Sequence, residues 1–165
     1  MKMTAENKNK PVNNDADAAF AKAVGSVCRA PKTKKQIEEY LAKKGFSGGA
    51  ISAAVEKMHE YRYLDDAGFA ESYISFYGNS KGKRKLKDEL KQRGVSEEIV
   101  EGCGELYPNQ KEIALNSARK FMKNRENNYE TMTKLYRHLA GKGFEFSVCG
   151  EVVREISANE IEFED

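Results

Sequence analysis

Residues Lys81–Glu98 read KGKRKLKDELKQRGVSEE, and this stretch decides the fold. It holds the densest basic run of the chain, a short amphipathic helix, a glycine stop and a fresh helix start. It also has relatives within the chain. Leu90–Gly94 reads LKQRG, Leu41–Gly45 reads LAKKG and Leu139–Gly143 reads LAGKG. The three glycines are 49 residues apart, and so are Ile37, Leu86 and Leu135, one helical turn ahead of the leucines. Self-similarity at a period of 20–50 residues marks a repeat architecture. A unit of this length buries little core alone, so stability is expected from stacking on neighbours.

Around the middle copy, Leu64, Asp65 and Phe69 fall at N′, N-cap and N4, the spacing of a hydrophobic staple. Phe69, Tyr73, Phe76 and Tyr77 form an apolar stripe. Gly78-Asn79-Ser80 breaks that helix, and Ser80 is expected to cap the next. There only Leu86 and Leu90 face a core, while Lys81, Lys83, Arg84, Lys85, Lys87, Lys91 and Arg93 ring the rest. Gly94 supplies the left-handed stop. Ser96 caps the third helix, with Glu97 and Glu98 at its positive end. Ile99, Cys103 and Leu106 form its buried face.

The flanking copies read the same way. In the first, Asp15 or Asp17 caps a helix that turns Phe20, Val24 and Val27 inward, and Pro31 closes it. Thr33 and Gln36 fit a capping box. Ile37, Tyr40, Leu41 and Lys44 follow at helical spacing up to Gly45, and Ser47 caps a helix with Ile51, Val55 and Met58. Ile51 lies six residues after its glycine, whereas Ile99 and Val148 lie five after theirs. That difference implies one extra residue in the loop after Gly45, and loop insertions are cheap. In the third copy Pro108 punctuates. Ile113, Leu115, Ala118, Phe121 and Met122 form one helix, and Met132, Leu135, Tyr136 and Leu139 the next. Phe144, Val148, Val152 and Ile156 form the last.

The fold expected is therefore all-α, three tandem three-helix repeats. The repeats span 15–63, 64–107 and 108–157. A polar segment over 1–14 has nothing to bury and is expected to be disordered. The acidic end over 158–165 is expected to fray.

Net charge is only +2, but it is unevenly spread. Arg29–Lys44 carries six basic and two acidic residues, Lys81–Arg93 seven and two, and Glu145–Asp165 one and seven. A basic middle suggests a polyanionic partner for one face, or simply a solvated helical surface. The three cysteines are far apart and lack CxxC pairing, which points to a reducing compartment rather than a disulfide framework or a zinc site. No apolar run approaches the roughly 20 residues of a membrane helix, and the opening MKMTAENKNKPVNN lacks the apolar core of a signal peptide. A cytoplasmic protein is expected.

Little here suggests catalysis. His59 and His138 are the only histidines, and neither has a second ligand one helical turn away. Asp65 and Asp66 are explained by capping. The GNSKGK segment follows a helical pattern instead of a strand and misses the spacing of a phosphate loop. No nucleophile, base and orienting group can be assembled, and no cofactor or metal is implied. The seven cations of the middle helix are not needed for folding; like charges at i,i+4, such as Lys83 and Lys87, cost a few tenths of a kcal/mol. They invite phosphates or an acidic protein surface. Three-helix units also resemble helix-turn-helix modules, so a DNA-binding transcription regulator is the alternative. The middle helix lacks the Asn, Gln and Arg set that reads base edges, which limits DNA to weak, unspecific backbone contact.

At this point the segment YLDDAGFAESYISFY, followed by KGKRKLKDELKQRGVSEEIVE, resembles the RecX regulators of the bacterial recombinase RecA. The resemblance rests on Asp65, Asp66, Phe69 and Ala70, then Gly82, Leu86, Glu89, Leu90, Arg93 and Gly94, then Ile99. The KGF triplets at Lys44–Phe46 and Lys142–Phe144 fit the outer repeats. It implies that the three repeats form an elongated, curved array that binds RecA and the RecA–DNA filament and dampens recombinase, ATPase and co-protease activities, with a place in DNA repair, recombination and the SOS response; a monomer is expected. It implies no catalytic residues. Candidate contacts are Lys81, Lys83, Arg84, Lys85, Lys87, Lys91 and Arg93, with Lys32, Lys34 and Lys35 from the first repeat; Leu64 joins the residues named above as scaffold. The chain departs from the family pattern in lacking a strongly basic-aromatic opening and in its longer loop after Gly45.

Overall fold

The computed structural model describes residues 14–159. The two expected tails lie outside the described residues, except for residue 14 and for 158–159; the latter were expected to fray but close the last helix. Among the described residues the protein is all-helical: α1 (Ala16–Val27), α2 (Lys34–Lys43), α3 (Gly48–Glu60), α4 (Asp66–Tyr77), α5 (Lys83–Gln92), α6 (Glu97–Gly102), α7 (Gln110–Met122), α8 (Tyr129–Gly141) and α9 (Phe146–Asn159), with a 3₁₀ turn at Gly104–Leu106. By contacts the chain divides into two compact units. Among the described residues, one comprises 14–69 together with 93–95, the other 70–92 and 96–159.

The core of the first unit is α1, α2 and α3. Ile37, Leu41 and Met58 are fully buried there with Ala19, Ala23, Ala50, Ala54, Val55, Phe46 and Leu64. The alanines explain one correction. Phe20, Val24 and Val27 are only half-buried, and Ala19, Ala23 and Ser26 take the centre of the α1 face. α1 packs most extensively on α3. Small residues on both helices let their axes approach, and the larger side chains flank the contact. Asp15 accepts from the Asp17 and Ala18 N–H groups and starts α1. Thr33 and Gln36 form the expected capping box.

A second correction concerns the loop after Gly45. Ser47 caps α3 two residues after Gly45, and Ser96 caps α6 two residues after Gly94. There is no extra residue. Gly45, Gly94 and Gly143 all take left-handed φ, at 86°, 88° and 87°, a region glycine enters without steric cost. The buried residues after them are Phe46, Val95 and Phe144. The first large apolar residue of each third helix does not mark a common core position: Ile51, Ile99 and Val148, all expected inside, are half-buried, and the buried neighbours are Val100, Cys149 and, in α3, Ala50. A small side chain there marks the core position that size alone would assign to its neighbour.

In the second unit the third repeat is built on Ala114, Ala118, Met132, Leu135, Leu139, Phe144, Cys149 and Val152. The middle repeat contributes Ala70, Tyr73, Ile74, Leu86, Leu90, Val100 and Cys103 as buried positions. Each fully buried leucine is worth about 1.5–3 kcal/mol. Phe76, expected in the α4 stripe, is 78% exposed, and Ile74 is buried in its stead. Leu106 is also exposed, because α6 ends at Gly102 and the 3₁₀ turn redirects the chain.

Candidate functional site

The site is the basic helix α5 and what holds it. Its start departs from expectation. Ser80 does not cap α5; its hydroxyl donates back to the Tyr77 carbonyl at 3.0 Å. The helix begins three residues later, and its first N–H groups are satisfied from outside. Gly82 N–H donates to the Lys142 carbonyl at 2.9 Å and Arg84 N–H to the Gly143 carbonyl at 3.2 Å. Lys83 N–H donates to Gln110 Oε1 at 2.7 Å. A helix start leaves orphan donors that need such partners. The fit is close: a Cβ on Gly82 would overlap the Gly143 carbonyl and the Phe144 amide nitrogen, and one on Gly143 would overlap Lys85.

The first unit contains the corresponding joint, displaced by 49 residues. Thr33 Oγ1 donates to the Arg93 carbonyl at 2.6 Å. Thr33 and Arg93 stand where Gly82 and Lys142 stand one repeat later. The donor atom differs for a reason. The Thr33 N–H is already spent on Gln36 Oε1 in the capping box, so the hydroxyl makes the bond.

The two acids before α4 are both occupied. Asp65 accepts from Gly68 N–H at 2.9 Å, the N-cap role expected of it. Asp66 accepts from Lys34 N–H at 3.0 Å and so serves the start of α2.

The candidate cations fall into distinct classes, and several are engaged internally, contrary to the expectation that folding does not use them. Lys81 donates to both Glu89 oxygens, at 2.9 and 2.7 Å. Its ammonium lies 4.3 Å from the Tyr77 ring centroid and 5.7 Å from that of Tyr73. Tyr73 O–H donates to the same carboxylate at 2.7 Å. Burial opposes charge on Glu89, yet the hydrogen bonds from Lys81 and Tyr73 outweigh it and hold the carboxyl below its ordinary value. Burial likewise works against the Lys81 charge, but Glu89 and Tyr73 raise its pKa overall.

Arg84 Nη2 donates to the Ala140 carbonyl at 2.7 Å, placing a cation at the negative end of α8. Its guanidinium lies 5.0 Å from the Phe146 ring centroid. Lys87 donates to the two Glu101 oxygens at 2.7 and 2.6 Å, and Lys91 donates to Glu97 at 2.6 Å. Lys83 stands 5.1 Å over the Tyr107 ring, and Lys85 is exposed. The half-buried Arg93 gives its carbonyl to the first-unit joint. In the first unit Lys34 and Lys35 approach Glu38 and Glu39 at 3.8 and 4.0 Å, and Lys32 is half-buried. Glu89 could have been paired with Lys81 only by knowing that the chain turns back at Gly82. Gln110 and Phe146 carried no sequence signal toward α5.

Lys83, Arg84 and Lys87 also line a cleft of about 390 Å³ with Glu145, Phe146 and Ser147. His138 stacks on Phe121, centroids 4.8 Å apart, with Ser117 Oγ at 3.4 Å. Its pKa is lowered by burial and by Lys142 and Arg125. Burial pushes the Cys103 and Cys149 thiols up, which suits inert core residues. No helix among the described residues is long and apolar enough to cross a membrane.

The described residues thus form an all-helical protein of three-helix modules whose basic helix, α5, is partly neutralised by Glu89, Glu97 and Glu101. The comparisons with known proteins give the family. The models of the first and second three-helix domains of RecX match residues 19–58 and 65–102. Regulatory protein RecX of Clostridium botulinum (strain Alaska E43 / Type E3) is 34% identical over 149 residues, covering 87% of this chain and 69% of that protein. Regulatory protein RecX of Clostridium perfringens (strain 13 / Type A) is 33% identical over 144 residues, covering 84% and 68%. The chain belongs to the RecX family. The crystal structure of RecX from Lactobacillus salivarius has the same fold, with a TM-score of 0.77 at 23% identity over 87% of this chain and 97% of that one. The relatives are named as regulatory proteins.

Proposed function

We propose that this protein binds RecA and its filament on single-stranded DNA and inhibits recombinase, ATPase and co-protease activity. It would act in the cytoplasm as a monomer, within DNA repair, recombination and the SOS response. Family membership carries this reading. The surface chemistry supports it: α5 presents cations where a filament offers acidic protein surface and phosphate together. The repeats over 15–63, 64–107 and 108–157 are the proposed binding units, and several weak contacts on one chain raise avidity.

The runner-up, a helix-turn-helix regulator of transcription, draws less support. The helix after each glycine turn would have to read bases. α3 opens with Gly48 and Gly49, which have no side chain to reach a base edge, and α6 opens with Glu97 and Glu98, which repel a duplex's phosphates.

The test is ATP hydrolysis by RecA on single-stranded DNA with the protein added. Inhibition is expected, and the double substitution Lys83→Glu with Lys85→Glu should weaken it about tenfold at physiological salt with helicity unchanged. Arg84 and Lys87 are left alone because they hold Ala140 and Glu101. Full inhibition by the double variant would remove α5 as the contact. No inhibition by the wild type, with tight sequence-selective duplex binding, would favour the transcription regulator.

A further inference from the structure

Phe146 opens α9 with 61% of its surface exposed, although it is large and apolar. Nothing in the repeat demands an aromatic there. The positions 49 and 98 residues earlier are Glu97 and Gly48, which open α6 and α3 equally well. The repeat scaffold thus does not call for an aromatic here, and the contact that Phe146 makes is with Arg84, whose guanidinium lies 5.0 Å from its ring centroid. It lines the cleft of about 390 Å³ that also holds Lys83, Arg84, Lys87, Glu145 and Ser147, a volume within the usual range for small-ligand sites. Arg84 is fixed there twice, by its bond to the Ala140 carbonyl and by its place over the Phe146 ring. Lys83 is steadied on the Tyr107 ring. Two carboxylates temper the charge: Glu145 in the cleft and Glu101 on Lys87. The cleft remains cationic on balance.

An exposed aromatic face beside two or three positioned cations is the pairing that holds an unpaired nucleotide: the ring stacks the base and the cations take the phosphate. A duplex fits less well, because its bases are already stacked on each other and have no free face to offer. An acidic protein surface would use the cations but leave the exposed part of the Phe146 ring uncovered.

We infer that the cleft between the start of α5 and the start of α9 is a binding site for a nucleotide of single-stranded DNA, with the base on Phe146 and its phosphate on Lys83 and Arg84. This deepens the DNA-contact part of the reading above, but its test needs no RecA. The full chain is titrated with a fluorescent oligo-dT and with an abasic oligonucleotide of the same length, each at two salt concentrations. The wild type should prefer oligo-dT. Phe146→Ala and Phe146→Leu should each weaken oligo-dT binding about tenfold and weaken abasic binding far less, because Arg84 keeps its bond to the Ala140 carbonyl. Leu keeps apolar bulk and removes the π-face, so equal effects of the two variants identify stacking.

Equal wild-type affinity for the two oligonucleotides, no measurable oligo-dT binding, or Phe146 variants that bind as the wild type does would each overturn the site. So would displacement by poly-glutamate with the same dependence on Phe146, which would assign the cleft to an acidic protein. Loss of oligo-dT binding in the variants while RecA inhibition is absent in the wild type would sink the RecA reading and leave this site standing.

Discussion

The middle helices α5 and α8 stand 49 residues apart and share their buried leucines, Leu86 with Leu135 and Leu90 with Leu139. Their first turns have nothing in common. α5 has 10 residues and begins with donors satisfied by the Lys142–Gly143 loop and by Gln110. α8 has 13 residues and begins one turn earlier in the repeat, capped by its own Asn128. Thr131 stands where Gly82 stands in the middle copy, but its N–H is spent locally on Asn128 Oδ1 at 2.9 Å. The same contrast runs through the glycine loops. The Gly94 and Gly143 loops are seated on the first turns of α2 and α5, whereas a Cβ on Gly45 would meet nothing within 4 Å. Identical leucine scaffolds thus carry different joints, and what differs is which group satisfies the orphan donors of a helix start.

The largest expected effect breaks this comparison directly. Gly45 and Gly143 have nearly the same φ, 86° and 87°, so replacing either by alanine imposes the same backbone strain, about 1–2 kcal/mol. Only Gly143→Ala also drives a methyl group into the backbone of Lys85. It should cost about 3–4 kcal/mol in total, overpacking against backbone that has no room to yield. Urea unfolding followed by circular dichroism checks this. Equal losses for the two variants would mean that the joint on α5 is not a tight one.

A smaller effect concerns the ion pair that ties the end of α4 to α5. The Lys81 and Glu89 side chains are 24% and 21% exposed, and Tyr73 donates to the same carboxylate. Glu89→Gln should destabilise by about 1–2 kcal/mol at neutral pH. Because the folded carboxyl titrates below its ordinary value of 4.5, this contribution is complete above that value. It is lost as pH falls through the depressed folded value. The wild type and Glu89→Gln should therefore converge in stability in acid and separate above pH 4.5, as thermal unfolding over pH would show. A constant gap would place the effect on packing instead of charge.

Much of this was legible in the sequence because it rests on local rules. The period of the glycines, the Thr33–Gln36 box, Ser47 and Ser96 as caps and the buried leucines all follow from neighbours a few residues away. The misreadings share a different cause. Size was taken for burial at Phe20, Ile51 and Phe76, while close helix packing gave the core to Ala19, Ala50 and Ile74. At the candidate site, the run of cations could be read, but their partners could not. Arg84 meets Ala140 and Lys87 meets Glu101, separations of 56 and 14 residues that no helical spacing encodes.

The smallest effect sharpens the division among those cations. Lys91 and Glu97 pair at 2.6 Å, but the two side chains are 41% and 75% exposed. The hydrogen bond that Lys91 donates to Glu97 raises the Lys91 pKa, and the pair resembles that of Lys81 and Glu89 in distance alone. Among the described residues no ring stands over it in the way Tyr73 and Tyr77 accompany Lys81. In water such a pair gains little, because solvent screens the attraction and the long side chain loses freedom when held. Lys91→Ala should therefore leave the unfolding midpoint unchanged within error, at low salt and at high. A clear loss would show that the pair orders the turn around Gly94 and that α5 depends on its charges along its whole length. An unchanged midpoint would separate the helix into two parts: a first half, from Lys81 to Lys87, whose cations help to build the fold, and an end at Lys91 whose charge is available to a partner without loss of structure.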